Sequence, residues 1–222
     1  MATTAEVRRC TRLRGEPMRG RAAPERDSMS GTPNEGKEFM HYLSHYESPL
    51  GAMTMASDGE HLTGLWFDGQ KYDRSTIDDD AVLQPRLPVF TQTAQWLDAY
   101  FEGADPGFTP PIRVEGSDFK KMVSSTMLSI PFGATSTYAR IAAEVARRMG
   151  RKQMSAQAVG GAVGRNPITL IVPCHRVLAS DGSLRGYAGG VDRKERLLEM
   201  EGVNMSGLST PPAADDGGGR RE

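Results

Sequence analysis

The chain has 222 residues, 38% of them apolar, which suffices for one or two ordinary domains with a packed core. No apolar run approaches the ~18 residues of a membrane span, and the first 30 residues carry seven arginines without an apolar block, so they do not read as a secretory signal. The net charge of −1 divides unevenly: residues 118–203 hold 13 Lys and Arg against 7 Asp and Glu, whereas residues 1–117 hold 12 against 18. That split points either to contact between 118–203 and a polyanion or to ordinary surface charge.

Residues 1–36 are rich in Arg, Gly, Pro, Ser and Glu and have no hydrophobic period. They read as a disordered extension, or as sequence upstream of a start at Met29 or Met40. Residues 37–111 read as a small sheet-bearing domain. Strand-like runs at 40–43, 51–56 and 62–67 are separated by the turn pairs Ser48-Pro49 and Asp58-Gly59. Phe90, Ala94, Leu97 and Phe101 recur at helical spacing and predict a helix over 89–102, followed by a Pro/Gly linker at 105–111.

Residues 112–203 read as a second, mainly helical domain. Ser117 or Asp118 can cap a helix carrying Phe119, Met122, Val123, Thr126 and Met127, which ends at Ile130-Pro131-Phe132-Gly133. A capped helix is expected from Ser136 to about Met149, a turn over 150–153, and a short helix over 156–163 opened by Ser155. The pair is either a helix-turn-helix or an ordinary helical hairpin. Its second helix is built from Ala156, Ala158, Gly160, Gly161 and Ala162, small enough to let another backbone or a nucleic-acid groove come close. A last helix spans 191–201 with Leu197 and Leu198 facing the core, and 204–222 reads as a flexible tail. The fold class expected is α/β in the α+β sense.

The chemistry centres on Pro173-Cys174-His175-Arg176-Val177, which follows the apolar run 168–172. A free thiol has a pKa of about 8.5, and nearby positive charge lowers it and makes a nucleophile. The other reading is a structural cysteine at the end of a strand. Only Cys10 and Cys174 occur, which argues against a disulfide framework and fits a reducing cytosol. His41, His45, His61 and His175 form no metal-ligand spacing.

Taken in order, the blocks Ala158-Val159-Gly160-Gly161-Ala162, Asn166-Pro167, Ile171-Val172-Pro173-Cys174-His175-Arg176-Val177, Gly186-Tyr187-Ala188-Gly189-Gly190 and Arg193-Lys194-Glu195 resemble the O6-alkylguanine-DNA alkyltransferase family, also called methylated-DNA–protein-cysteine methyltransferases. The resemblance runs from about residue 40 to 203. It implies a DNA repair protein of the cytoplasm, without cofactor or metal and acting as a monomer. Such a protein flips O6-alkylguanine, and also O4-alkylthymine, out of double-stranded DNA from the minor-groove side. It then moves the alkyl group irreversibly to its own cysteine, one lesion per molecule.

Carried over residue by residue, Cys174 is the alkyl acceptor, His175 the base that draws the thiol proton through a water, and Glu201 the carboxylate that orients the histidine. Asn166 holds the turn beneath the cysteine, and Tyr138 contacts the flipped base and gives a proton to guanine N3. Val177, Tyr187, Ala188 and Gly189 form the base pocket, with Lys194 near the cysteine. DNA contacts are expected from Ala156, Gln157, Ala158 and Gly160, and from Arg151, Lys152, Arg165 and Arg176.

Two departures stand out. The family's intercalating arginine is replaced here by Gln157, and the basic stretch 147–154 is longer than the family's usual turn. Three rivals carry discriminating features. An alkyltransferase-like protein would lack Cys174. A bifunctional regulator would carry a zinc-cysteine domain, for which residues 1–39 hold only Cys10. A cysteine hydrolase would turn over esters.

Overall fold

A computed structural model describes residues 40–210 apart from 79. The expected extension at 1–36 and the end of the expected tail, 211–222, lie outside the described residues. Three strands, β1 (Tyr42–Ser48), β2 (Gly51–Ser57) and β3 (Leu62–Phe67), form an antiparallel meander. A two-residue strand, β4 (Val82–Leu83), joins β1 in parallel and gives the sheet order β3-β2-β1-β4. β4 carries no sequence signal, because a strand of two exposed residues has no period to read.

Helix α1 (Pro88–Phe101) starts with proline at its first turn, where the missing N–H leaves no bond unmade. It lays Phe90, Trp96, Leu97 and Tyr100 into the core. α2 (Asp118–Leu128) is capped by Ser117, whose hydroxyl accepts from Lys120 N. α3 (Tyr138–Arg148) is capped by Thr137 and α4 (Ala156–Gly164) by Ser155. Both helices of the expected pair are therefore present. α4 buries only Val159 and Val163 and leaves its small residues outward. A parallel bridge of β5 (Ser136–Thr137) with β6 (Val177–Leu178) and helix α5 (Val191–Met200) complete the described chain.

One apolar core runs from Met53, Leu65 and Phe90 to Ile141, Val159, Cys174 and Leu197, so sheet and helices share it. The outer edge of β3 is covered by segments from later in the chain. Leu62 N donates to Pro111 O, Leu65 N to Pro167 O, and Thr169 N to Leu65 O. An edge strand presents unpaired backbone groups; here they anchor the segment that leads to Cys174.

Two expectations change. The run 168–172 is a tight turn, so the alternative of a cysteine at the end of a strand falls; Leu170 adopts φ +66° inside it. Residues 204–210 are packed: Leu184 N donates to Ser209 O, Ser209 N to Gly182 O, and Met205 and Leu208 cover Leu198. Apolar side chains at 205 and 208 find a surface next to α5, so the packed chain reaches residue 210.

Candidate active site

The cysteine turn is held by one amide. Asn166 Nδ2 donates to Val172 O at 2.7 Å, to Ile168 O at 3.1 Å and to Cys174 Sγ at 3.1 Å, while its Oδ1 accepts from Ile168 N at 3.2 Å. Only an amide offers donor and acceptor together at that reach. Thr169, inside the turn, places its hydroxyl 4.0 Å from Sγ and 3.0 Å from the Tyr187 hydroxyl.

Cys174 opens a single 3-10 turn, Cys174–Arg176, and is only 5% exposed. Burial pushes its thiol up; the bonds from Asn166 and Thr169 and the charge of Lys194 oppose this without overcoming it. At rest the group is a neutral thiol. The sequence-based expectation that the neighbouring guanidinium favours the thiolate is thus corrected. Arg176 points away from the sulfur, and its Nε and Nη2 bond Glu201 while Nη1 bonds Ile130 O. It is buried, so its expected place on the DNA surface is corrected too. Burying a guanidinium is costly, and here it is tolerated because Glu201 and the Ile130 carbonyl pair and hydrogen-bond it.

Behind the cysteine, His175 Nε2 lies 2.7 Å from Glu201 Oε1. Glu201 caps α5 and also accepts from Gly133 N at 3.2 Å and from the Tyr100 hydroxyl at 2.7 Å. Burial acts to raise the Glu201 carboxyl, but the hydrogen bond from His175 and the bonds and charge of Arg176 outweigh it and hold the group at about 2. Burial lowers His175, and Arg176 and Lys194 act the same way against the pull of Glu201, so the imidazole is neutral. With an ionised carboxylate on Nε2, the proton sits there. Nδ1, buried and without a protein partner, keeps its lone pair.

The other expected residues surround this core. Tyr138 opens α3, donates to Arg185 O at 3.3 Å, and is pushed up to about 12, chiefly by burial, so it is a protonated phenol. Its ring lies between Gly160 of α4 and Gly186 of the following loop. Val177 is fully buried, and Tyr187 stands edge-on to His175 with ring centroids 6.3 Å apart. Gly189 leaves room for the Tyr187 ring, and Ala188 O accepts from Lys71 N. Lys194 is fully buried, bonds Val177 O at 2.6 Å and Arg185 O at 3.5 Å, and burial draws it down to about 8. It braces the pocket wall from beneath.

Two clefts share Gly160, and Tyr138 lines the second. One of about 340 Å³ is lined by Tyr72, Gly160, Arg165, Gly186, Tyr187 and Ala188 among others. One of about 370 Å³ is lined by Tyr138, Ala156, Gly160, Ser180 and Arg185 among others. Cys174 lines neither.

On the outer face, Ala156, Gln157, Ala158, Arg151, Lys152 and Arg165 are exposed and Gly160 half-buried. Arg165 also rests on the Tyr72 ring, 5.4 Å from its centroid. Arg147 and Arg148 of the long basic stretch are engaged by Glu144. The contacts of Tyr100, Thr169 and Tyr72 are absent from the sequence reading. Tyr100 falls unnamed inside the helix expected over 89–102, and the other two carry no motif.

Residues 118–203 match the 6-O-methylguanine DNA methyltransferase DNA binding domain, and residues 41–114 match the ribonuclease-like domain of the same proteins. The methylated-DNA–protein-cysteine methyltransferase of Mycobacterium tuberculosis is 38% identical over 163 residues, covering 73% of this chain and 93% of the relative. This chain belongs to the methylated-DNA–protein-cysteine methyltransferase family. The methyltransferase of that name from Methanosarcina barkeri is 40% identical over 165 residues, 74% of this chain and 99% of its own. Among solved structures, the O6-methylguanine methyltransferase of Mycobacterium tuberculosis superposes with a TM-score of 0.63 at 38% identity, covering 73% of this chain and 93% of that one. Mycobacterium tuberculosis OGT in complex with DNA gives the same TM-score at 37% identity, with 72% and 92% covered. The methyltransferase fold thus accounts for both the sheet and the helical part.

Proposed function

We propose that this methyltransferase repairs O6-alkylguanine, and also O4-alkylthymine, in double-stranded DNA by taking the alkyl group onto Cys174. The observation that carries the reading is the relay of Glu201 on His175 Nε2, with Nδ1 left as the basic nitrogen next to a thiol clamped by Asn166.

The reacting base is stacked inside the duplex, so it must be turned out to reach a buried sulfur. The thiol proton then passes to His175 Nδ1 through a water. The sulfur–carbon bond forms as the carbon–O6 bond breaks, and the bonding pair leaves on the guanine. Tyr138, a protonated phenol, donates to N3 of the leaving base. Tyrosine is restored from the imidazolium through solvent, so the net proton moves from thiol to guanine. The thioether has no route back, and each molecule acts once.

On this reading the small-residue face of α4, with Arg151, Lys152 and Arg165 beside it, meets the minor groove. Gln157 fills the gap left by the base. The protein acts as a monomer in the cytoplasm. Intact-protein mass spectrometry after mixing with a duplex containing O6-methylguanine tests this. One added methyl mapped to Cys174 is the expected result; methyl on Cys10, or turnover beyond one equivalent, rejects it.

A further inference from the structure

Tyr100 lies in the part of the chain that matches the ribonuclease-like domain, yet its hydroxyl stands inside the relay. It donates to Glu201 Oε1 at 2.7 Å and lies 3.3 Å from His175 Nε2. The ring is fully buried, stacked on Trp96 at 5.1 Å between centroids, and edge-on to Phe101 and Phe132. A phenyl ring would pack equally well there. The hydroxyl therefore adds something that packing does not require, and burying it is tolerated only because it is bonded.

We propose that Tyr100 is a positioning residue for alkyl transfer, which holds the Glu201 carboxylate against His175 and keeps the imidazole neutral with its proton on Nε2. This rests on the relay reading given above.

The geometry supports it in two ways. A phenol has one hydrogen, and the short bond gives it to Glu201. Toward Nε2 the tyrosine then offers only a lone pair, as does Oε1. Two acceptors converge on one ring nitrogen, which must carry the hydrogen. Secondly, the same bond draws on the charge of the oxygen that faces the ring. A carboxylate already receiving donors from Tyr100, Arg176 and Gly133 attracts an imidazolium less strongly. The remaining groups around His175 are Arg176 from its own turn, Lys194 from α5, Tyr187 from the pocket loop and the neighbouring Cys174. The two cations disfavour imidazolium. Among the described residues, Glu201 is the carboxylate that favours it. Whatever attenuates Glu201 therefore sets how readily His175 is protonated.

The test is Tyr100→Phe in the full chain, read as single-turnover methyl transfer from O6-methylguanine duplex across pH. Loss of one hydrogen bond predicts transfer about three- to tenfold slower near pH 6, with the acid limb moved to higher pH and rates near pH 9 within about twofold of wild type. A packing role alone would lower the rate at every pH and leave the limb in place; that result, or an unchanged profile, overturns the proposal. A wild-type profile with no acid limb overturns the relay reading and this proposal together, so the two failures are distinguishable. Nitrogen-15 NMR of His175 in the wild-type protein gives a second readout that needs no variant. Neutral imidazole with its hydrogen on Nε2 is expected, and a hydrogen on Nδ1 overturns the assignment.

Discussion

Arg176 turns inward and clasps Glu201 with two bonds, Nε to Oε2 at 2.8 Å and Nη2 to Oε1 at 3.0 Å. The pair lies behind the cysteine and out of water. Removing one partner of a buried pair strands the other charge, at a cost of about 3–5 kcal/mol. We expect Glu201→Ala to lose that much unfolding free energy in urea. Arg176→Leu with Glu201→Leu should lose less than the sum of the two single changes. Stability equal to wild type in Glu201→Ala would refute the pairing.

The same carboxylate gives a pH dependence. Its folded value of about 2 lies below its ordinary 4.5, so ionisation favours the native state. The contribution is complete above pH 4.5 and is lost as pH falls toward 2. Its size is on the order of 3 kcal/mol. Acid unfolding of Glu201→Gln should lack this part of the slope, whereas the wild-type protein should show it; parallel curves would contradict the assignment.

Gly186 adopts φ +87°, and a Cβ there would collide with the Tyr138 hydroxyl. Gly186→Ala is expected to displace Tyr138 and slow methyl transfer at least tenfold, as befits a lost proton donor. Gly160→Ala adds a methyl at 3.9 Å from the same ring, an ordinary contact, and should fold as well as wild type. Comparing transfer rates and thermal midpoints of the two variants checks both statements.

Asn166 makes four bonds with one side chain. Asn166→Ala leaves the carbonyls of Ile168 and Val172 without that donor and frees the sulfur. A loss of about 2–4 kcal/mol is expected by summing the ~1 kcal/mol typical of each bond, together with slower transfer. Asn166→Asp keeps the acceptor but has no N–H to give, so it should rescue neither.

Gln157 is exposed near the start of α4, where it can enter a duplex but brings no charge. Gln157→Arg should raise the rate on methylated duplex and leave the rate on free O6-benzylguanine unchanged, because the free base needs no extrusion. Equal effects on both would mean that residue 157 acts on the pocket. Arg151→Ala and Lys152→Ala should each reduce the salt dependence of DNA binding. No change in that slope would free the long turn from the interface.

The helices were legible because their signals are local. Ser155 caps α4 as expected, Ser117 rather than Asp118 caps α2, α3 begins at Tyr138 behind a Thr137 cap, two residues after the expected start at Ser136, and Phe90 and Leu97 face the core. The ordered motif singled out Cys174, His175, Glu201 and Asn166, and the structure brings these four together. What escaped depends on distant parts of the chain meeting. Arg176 reads as one more cation beside a cysteine until the position of Glu201, 25 residues on, draws it inward. Tyr100 and Glu201 are 101 residues apart, and nothing near either announces the bond. The turn at 168–172 looks like a strand because its apolar residues are consecutive; Asn166 and the edge of β3 bend it.

With Cys174 as the acceptor proposed above, its burial has a consequence for a protein that reacts once. A low-pKa, exposed thiolate would meet oxidants and stray electrophiles long before it met a lesion, and each such encounter would remove one copy from service. Here the sulfur waits as an enclosed thiol, and the neighbouring imidazole is neutral and already oriented by Glu201. Reactivity is released only when a base is delivered to it, so the supply of unused acceptors is conserved for damaged DNA.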